Sequence, residues 1–150
     1  MLSNMNPNEA GHLWILLFRA FRAVEDTDKK SIRRLGFDSI SDFAVLEILH
    51  SQGRQPVNTI GKKIMLTSGS ITTAIDRLQR KEWVVRNQDP EDRRVYWVEL
   101  TELGRERIGS VFDTHMEDLL SVFGILEPAE SVALATLLKK VGKHAQSLDN

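Results

Sequence analysis

Apolar residues recur at helical spacing along most of this chain and fall into short β-type runs in only one region. Over residues 11 to about 34, Leu13, Leu17, Ala20 and Val24 form one apolar stripe. Trp14, Phe18 and Phe21 form a second, which turns polar at Glu25. Together they cover more circumference than a helix needs to pack on one core. The pattern predicts a long helix that meets a second subunit as well as its own core; a central helix in a monomeric bundle is the other reading. Gly36 is placed to terminate this helix. Ser39 and Asp42 open a second predicted helix over residues 40–50 with a capping-box-like pair. Phe43, Leu46, Ile48 and Leu49 supply its apolar contacts, and residues 53–56 read as a turn.

The pattern is most organised over residues 58–100. A short helix is predicted over 57–64, with Ile60 and Ile64 inward, then a turn at 65–67. The following helix is capped by Thr67 or Ser68 and runs to about Lys81. Its apolar residues, Ile71, Ala74, Ile75 and Leu78, share one face. Residues 83–87 and 94–100 are strand candidates rich in Val, Tyr and Trp. The charged tip between them carries the turn signal Asp89-Pro90, so the unit reads as a hairpin. Thr101 is a suitable N-cap for a helix over 102–123. Glu127-Pro128 opens a last helix with Ala133, Leu134, Leu137, Leu138 and Val141 on one face. Residues 1–8 are expected to fray. The fold class expected is mainly α with a small β-hairpin wing. It is a single domain over 1–150, with a winged helix-turn-helix lobe at 40–100 and a helical dimerisation region at 11–35 and 102–148.

Composition narrows the chemistry. The absence of cysteine excludes disulfides, a cysteine redox switch and cysteine-ligated zinc. No apolar run approaches the length of a membrane span. The first residues lack the features of a signal peptide, so a cytoplasmic location is expected. Residues 54–94 hold nine Lys or Arg against five Asp or Glu, a local +4, which leaves −5 elsewhere in a chain of net charge −1. A basic middle between acidic ends suits a nucleic-acid footprint. There is no glycine-rich phosphate loop, His-Glu-x-x-His motif or Gly-x-Ser-x-Gly elbow. No enzyme activity, cofactor or metal is expected, and the four histidines are too dispersed for a strong zinc motif.

Thr67, Ser68, Ser70, Thr73 and Arg77 are small, polar or basic residues clear of the apolar face of their helix, with Thr72 between faces. These are the candidates for the major groove of DNA, where short side chains let a helix end approach the backbone. Arg77 can read guanine or contact phosphate. Lys62, Lys63 and Arg86 are candidate phosphate contacts. Asp89 is placed to accept from Arg93 and orient it, and Arg94 begins the return strand. His12, Trp14, Phe18, Phe43, His50 and His115 are candidates for a small-molecule pocket and equally for core or interface. His115 with Asp118 reads as a surface pair.

Asp89-Pro90-Glu91-Asp92-Arg93-Arg94, followed by Val98-Glu99-Leu100-Thr101-Glu102-Leu103-Gly104, resembles the wing and following helix start of the MarR (multiple-antibiotic-resistance regulator) family of bacterial transcription factors. Residues 68–78 resemble the recognition helix of that family, and Trp83-Val84-Val85-Arg86 its first wing strand. Glu82-Trp83 stands where Gly and an aliphatic residue or Tyr are usual. The resemblance spans 13–148. It implies a homodimer, commonly a repressor, on a pseudo-palindromic double-stranded operator. Recognition helices would enter major grooves, Arg93 of each wing would enter a minor groove, and a small aromatic or lipophilic effector would release the DNA. The reading from another class is a dimeric winged-helix protein-interaction module without specific DNA binding.

Overall fold

The computed structural model describes residues 5–148. The order is α1 (Pro7–Arg34), α2 (Ile40–Gln52), β1 (Gln55–Pro56), α3 (Val57–Lys63), α4 (Ser68–Arg80), β2 (Val84–Gln88), β3 (Tyr96–Leu100), α5 (Glu102–Phe123) and α6 (Pro128–Leu148). The fold is mainly helical with one antiparallel sheet in the order β1-β3-β2. Contacts divide the chain into two compact units within α5, after His115.

The first unit holds the core. Phe43, Val45, Leu46 and Leu49 of α2 pack with Ile60 of α3 and with Ile71, Ala74, Ile75 and Leu78 of α4. Val84, Val98 and Leu100 close the cluster from the sheet, Ile108 and Val111 from α5, and Ile32 from α1. Each such Val, Leu, Ile or Phe side chain contributes about 2 kcal/mol on leaving water, so the helix-turn-helix is held by its own hydrophobic face. By contrast, α1 buries only Ser31 and Ile32. Leu13, Trp14, Ile15, Leu16, Leu17, Phe18 and Phe21 remain exposed on it, Trp14 at 64%. In the second unit α6 has no buried residue, and Val132, Leu137, Leu138 and Val141 face outward. Among the described residues no single helix is long and apolar enough to cross a membrane.

Two expectations are corrected here. Helix α1 begins at Pro7 rather than Gly11, because Asn6 and Glu9 exchange backbone-to-side-chain hydrogen bonds of 3.0 Å in a capping box. Of the residues expected to fray, 1–4 lie outside the described residues. The turn at 53–56 contains a third strand: Gln55 and Pro56 pair with Val98 and Trp97 of β3. Two residues are too few to show an alternation, and proline is tolerated only at such a sheet edge.

Three helices stop in the same way. After α1, Gly36 N–H donates to Arg33 and Phe37 N–H to Ile32, with Gly36 at φ 84°. After α3, Met65 donates to Lys62 and Leu66 to Gly61, with Met65 at φ 55°. After α4, Glu82 donates to Gln79 and Trp83 to Leu78, with Glu82 at φ 58°. Each is a Schellman motif, which calls for a left-handed residue. Only the first has glycine there. Met65 and Glu82 hold their positions against a steric cost of about 1 kcal/mol each, which the core packing of α3 and α4 offsets.

Candidate nucleic-acid interface

Helix α4 is presented by a tight crossing with α3. A Cβ on Gly61 would meet Ile71 Cγ2 at 3.3 Å, so glycine lets the two helices approach. Thr67 caps α4: its hydroxyl oxygen accepts from the Ser70 amide at 3.2 Å, and its hydroxyl donates to Ser70 Oγ at 2.9 Å. Thr72 and Thr73 donate to the carbonyls of Ser68 and Gly69, each at 2.9 Å. These hydroxyl protons are used inside the helix, which leaves the threonine oxygens as acceptors. Thr67, Ser68, Ser70 and Thr73 are exposed and Thr72 is half-buried. The result is a rigid surface of small polar side chains at the positive end of a helix dipole.

Arg77 departs from this surface. Its Nε lies 3.1 and 3.2 Å from the two Asp42 oxygens, and Nη2 lies 2.6 Å from Asp42 Oδ1. Nη2 also reaches Ser39 Oγ at 3.2 Å and Ser41 Oγ at 3.4 Å. Asp42 is fully buried, and its hydrogen bonds raise the Arg77 pKa still further. Arg77, expected to read a base or contact phosphate, is therefore held by Asp42 in this structure. Its guanidinium turns towards the N-terminus of α2, because a desolvated carboxylate binds it more strongly than solvent does. Sequence spacing put Arg77 beside the polar face of α4 but carried no sign of a partner 35 residues away.

The wing is a β2–β3 hairpin with Arg86 opposite Val98 and Gln88 opposite Tyr96. Asp89 shapes its tip. One oxygen accepts from the amides of Glu91 and Asp92 at 2.9 and 3.0 Å, and the other accepts from the Trp97 indole at 2.7 Å. These bonds, that to Asp92 foremost, hold the Asp89 carboxyl below the usual aspartate range. Asp89 therefore orients the tip backbone and Trp97; the expected side-chain pairing with Arg93 is corrected. Arg93 is held instead through its backbone, whose carbonyl accepts from Gln88 Nε2 at 2.7 Å. Its side chain is exposed at the apex, as is that of Arg94.

The remaining cations divide. Lys62 is exposed, and Lys63 donates to Gln52 and Gln55. Arg86, a candidate phosphate contact, packs over the Tyr96 ring at 4.2 Å and lies 4.0 Å from Asp76. Arg54 was not singled out from sequence. It precedes β1 and sits 4.6 Å over the Trp97 ring, on the exposed side of the sheet. Only the pairing of β1 with β3 brings it to the wing.

The six pocket candidates do not line one cavity. Phe43 and His115 are buried against each other, ring centroids 4.4 Å apart, so His115 is not a surface residue. Its Nε2 lies 3.7 Å from Asp28 Oδ1, and both Asp28 Oδ1 and His115 Nδ1 are buried without a hydrogen-bond partner. Burial pushes the carboxyl pKa values of Asp28 and Glu47 up, against the opposing pull of His115. His50 is exposed and stacks on Phe112 at 5.5 Å. Trp14 and Phe18 lie 6.0 Å apart on the exposed part of α1. His12 lines only a shallow hollow at the start of that helix. A recess of about 420 Å³ lies instead between Glu25, Lys29 and Arg33 of α1, Ser39 and Ala44 at the start of α2, and Leu66 after α3. No group of three metal-ligating side chains is present among the described residues.

Residues 39–96, the helix-turn-helix and wing, match the model of the MarR family. The HTH-type transcriptional regulator MhqR of Bacillus subtilis is 38% identical over 138 residues, which cover 92% of this chain and 94% of MhqR. The chain belongs to the MarR family. It is a winged helix-turn-helix transcriptional regulator. Sco3205, a MarR-family regulator from Streptomyces coelicolor solved in complex with DNA, shares the fold with a TM-score of 0.85 at 22% identity, over 94% of this chain and 90% of that one. BpsR of Bordetella bronchiseptica, whose DNA binding is regulated by 6-hydroxynicotinic acid, aligns with a TM-score of 0.74 at 28% identity, over 87% and 98% of the two chains. Within this MarR-family chain, Glu82, at the position where the resemblance implies glycine, has the left-handed backbone that glycine would supply.

Proposed function

We propose that this protein is a homodimeric, sequence-specific repressor that binds a pseudo-palindromic double-stranded operator and is released by a small effector. The observation that carries the DNA reading is one lobe holding two probes. The surface of α4 formed by exposed Thr67, Ser68, Ser70 and Thr73 with half-buried Thr72 serves the major groove, and the backbone-pinned Arg93 at the wing tip serves the minor groove. Arg94, Lys62 and Arg54 supply phosphate contacts around them. The exposed apolar faces of α1 and α6 supply the dimer interface, so residues 11–35 and 102–148 form the dimerisation region and 40–100 the DNA-binding lobe. A dimer presents two recognition helices, which is why the operator is a palindrome.

The effector reading is supported by the regulation of BpsR by 6-hydroxynicotinic acid and by the unpartnered polar atoms of Asp28 and His115 beside Phe43. An effector shifts DNA binding by its difference in affinity for two states of the dimer. Regulation by binding, in the cytoplasm and without catalysis, completes the reading.

The test is selection of fragmented genomic DNA by the purified protein at roughly 0.15 M salt, where non-specific phosphate binding is already partly suppressed. Enrichment of a palindromic site is expected. A folded dimer that enriches no sequence removes the operator-binding reading.

A further inference from the structure

The apolar contacts of α4 are non-directional. Ile71, Ala74, Ile75 and Leu78 hold the helix against the core, but a hydrophobic face tolerates small rotations and slides at little cost. The directional link among the described contacts between α4 and α2 is the Arg77 guanidinium. It places both Nε and Nη2 on one carboxylate, at 2.6–3.2 Å. That carboxylate, Asp42, is 0% exposed. Ser39 and Ser41 accept from Nη2, and Ser39 Oγ also accepts from the Asp42 amide at 3.2 Å to cap α2. The fork is planar and fits the carboxylate in one orientation. Asp42 is buried while Arg77 is partly exposed; such a pair adds little net stability compared with an apolar pair, and what it offers α4 is a directional link.

We propose that Asp42, acting through Arg77, is a positioning residue for operator recognition: it sets the rotation of α4 about its axis and so the alignment of Ser70, Thr72 and Thr73 with base edges. The proposal rests on the sequence-specific reading above. Arg77 lies two turns along α4 from Ser70 and one from Thr73, so a rotation prevented at Arg77 is prevented at both. Phosphate contacts from Lys62, Arg94 and Arg54 originate on other elements and tolerate the same rotation, because a flexible cation follows a phosphate. Discrimination between sequences then depends on Asp42, while attraction to DNA in general does not.

The test uses full-length protein and the DNA site that wild type selects from genomic fragments. Asp42→Asn keeps the shape of the side chain and removes its charge. For this variant, affinity for an unrelated duplex and its salt dependence are expected to match wild type. The ratio of specific to non-specific affinity is expected to fall about tenfold or more, the loss of one good base contact's worth of discrimination. That loss is spread over every position of each half-site. Arg77→Lys retains the cation without the fork and gives the same spread-out loss; it carries the test alone if Asp42→Asn does not fold. Two results overturn the proposal. In one, folded Asp42→Asn or Arg77→Lys keeps the wild-type ratio, which makes the pair a structural brace only. In the other, the loss is confined to one base pair, which makes Arg77 a direct reader. Failure of wild type itself to select any sequence removes the sequence-specific reading first, and the proposal with it.

Discussion

The indole N–H of Trp97 donates to Asp89 Oδ2 at 2.7 Å, and this bond ties the tip of the wing to its central strand. Because the other Asp89 oxygen holds the amides of Glu91 and Asp92, one carboxylate sets both the loop and the tryptophan. Its pKa is lowered, so its contribution is present above the ordinary aspartate range and is lost as pH falls through the folded value. The Trp97 indole proton resonance is expected to hold its bonded position down through about pH 3.9, the ordinary aspartate value, and to move only below it. In Asp89→Asn the step disappears. A resonance that titrates within the ordinary range in wild type would show that the carboxylate is not held as described.

Arg93 reaches outward from a backbone fixed by Gln88. Arg93→Ala is expected to weaken binding to the selected operator by about 1–2 kcal/mol, roughly tenfold. Helical content and oligomer mass should be unchanged. Titration of labelled operator checks this, and wild-type affinity in the variant would remove the wing from the minor groove.

The exposed apolar face of α6 includes Leu137 at 58%, and that of α1 includes Phe18 at 51%. Burying each in a dimer interface contributes about 2 kcal/mol. Leu137→Glu and Phe18→Glu are each expected to weaken dimerisation by more than tenfold in sedimentation equilibrium, with the helix-turn-helix still folded. Dimers that persist in both variants at low concentration would place the interface elsewhere.

Gly104 sits in the first turn of α5 against the wing base. A Cβ there would lie 1.9 Å from the Trp83 carbonyl oxygen and 2.8 Å from its carbon. Both are backbone atoms, and the same oxygen already accepts from the Thr101 amide at 3.1 Å. Gly104→Ala is expected to destabilise the protein by about 2 kcal/mol or more, measured by urea denaturation. An unchanged midpoint would mean that this contact relaxes freely.

Glu82 provides the complementary case, a non-glycine residue at φ 58°. Glu82→Gly removes the steric cost but adds freedom to the unfolded chain, so the net gain is roughly 0 to 0.5 kcal/mol. Glu82→Val, β-branched in the left-handed region, is expected to lose about 1 kcal/mol or more. The order of urea midpoints, Gly at or above wild type and Val below, checks the assignment. The reverse order would contradict the left-handed backbone.

Much of the lobe was legible before the tertiary structure. Thr67, Ser39 and Thr101 announce their caps through side-chain chemistry that acts within three residues. The wing is marked by Asp89-Pro90 between β-branched runs. What was not legible concerns partners distant in sequence. Arg77 with Asp42, Arg54 with Trp97, and His115 with Phe43 and Asp28 all depend on which helix and strand faces meet. The pocket candidates scattered for the same reason: residue type suggested a ligand site, and tertiary contact dispersed those residues between the core and the exposed faces of helices.

The sequence by itself determined the order of helices and wing, the small polar surface of α4, and the lack of cysteine chemistry. Periodicity, capping and turn propensity are local and act on the chain as it is written. Only the tertiary structure decided that Arg77 braces α4, that Asp89 serves Trp97 rather than Arg93, and that α1 and α6 leave apolar faces uncovered. Those outcomes depend on desolvation and on directional bonds between segments far apart in the chain, and such energies exist only once the segments have met.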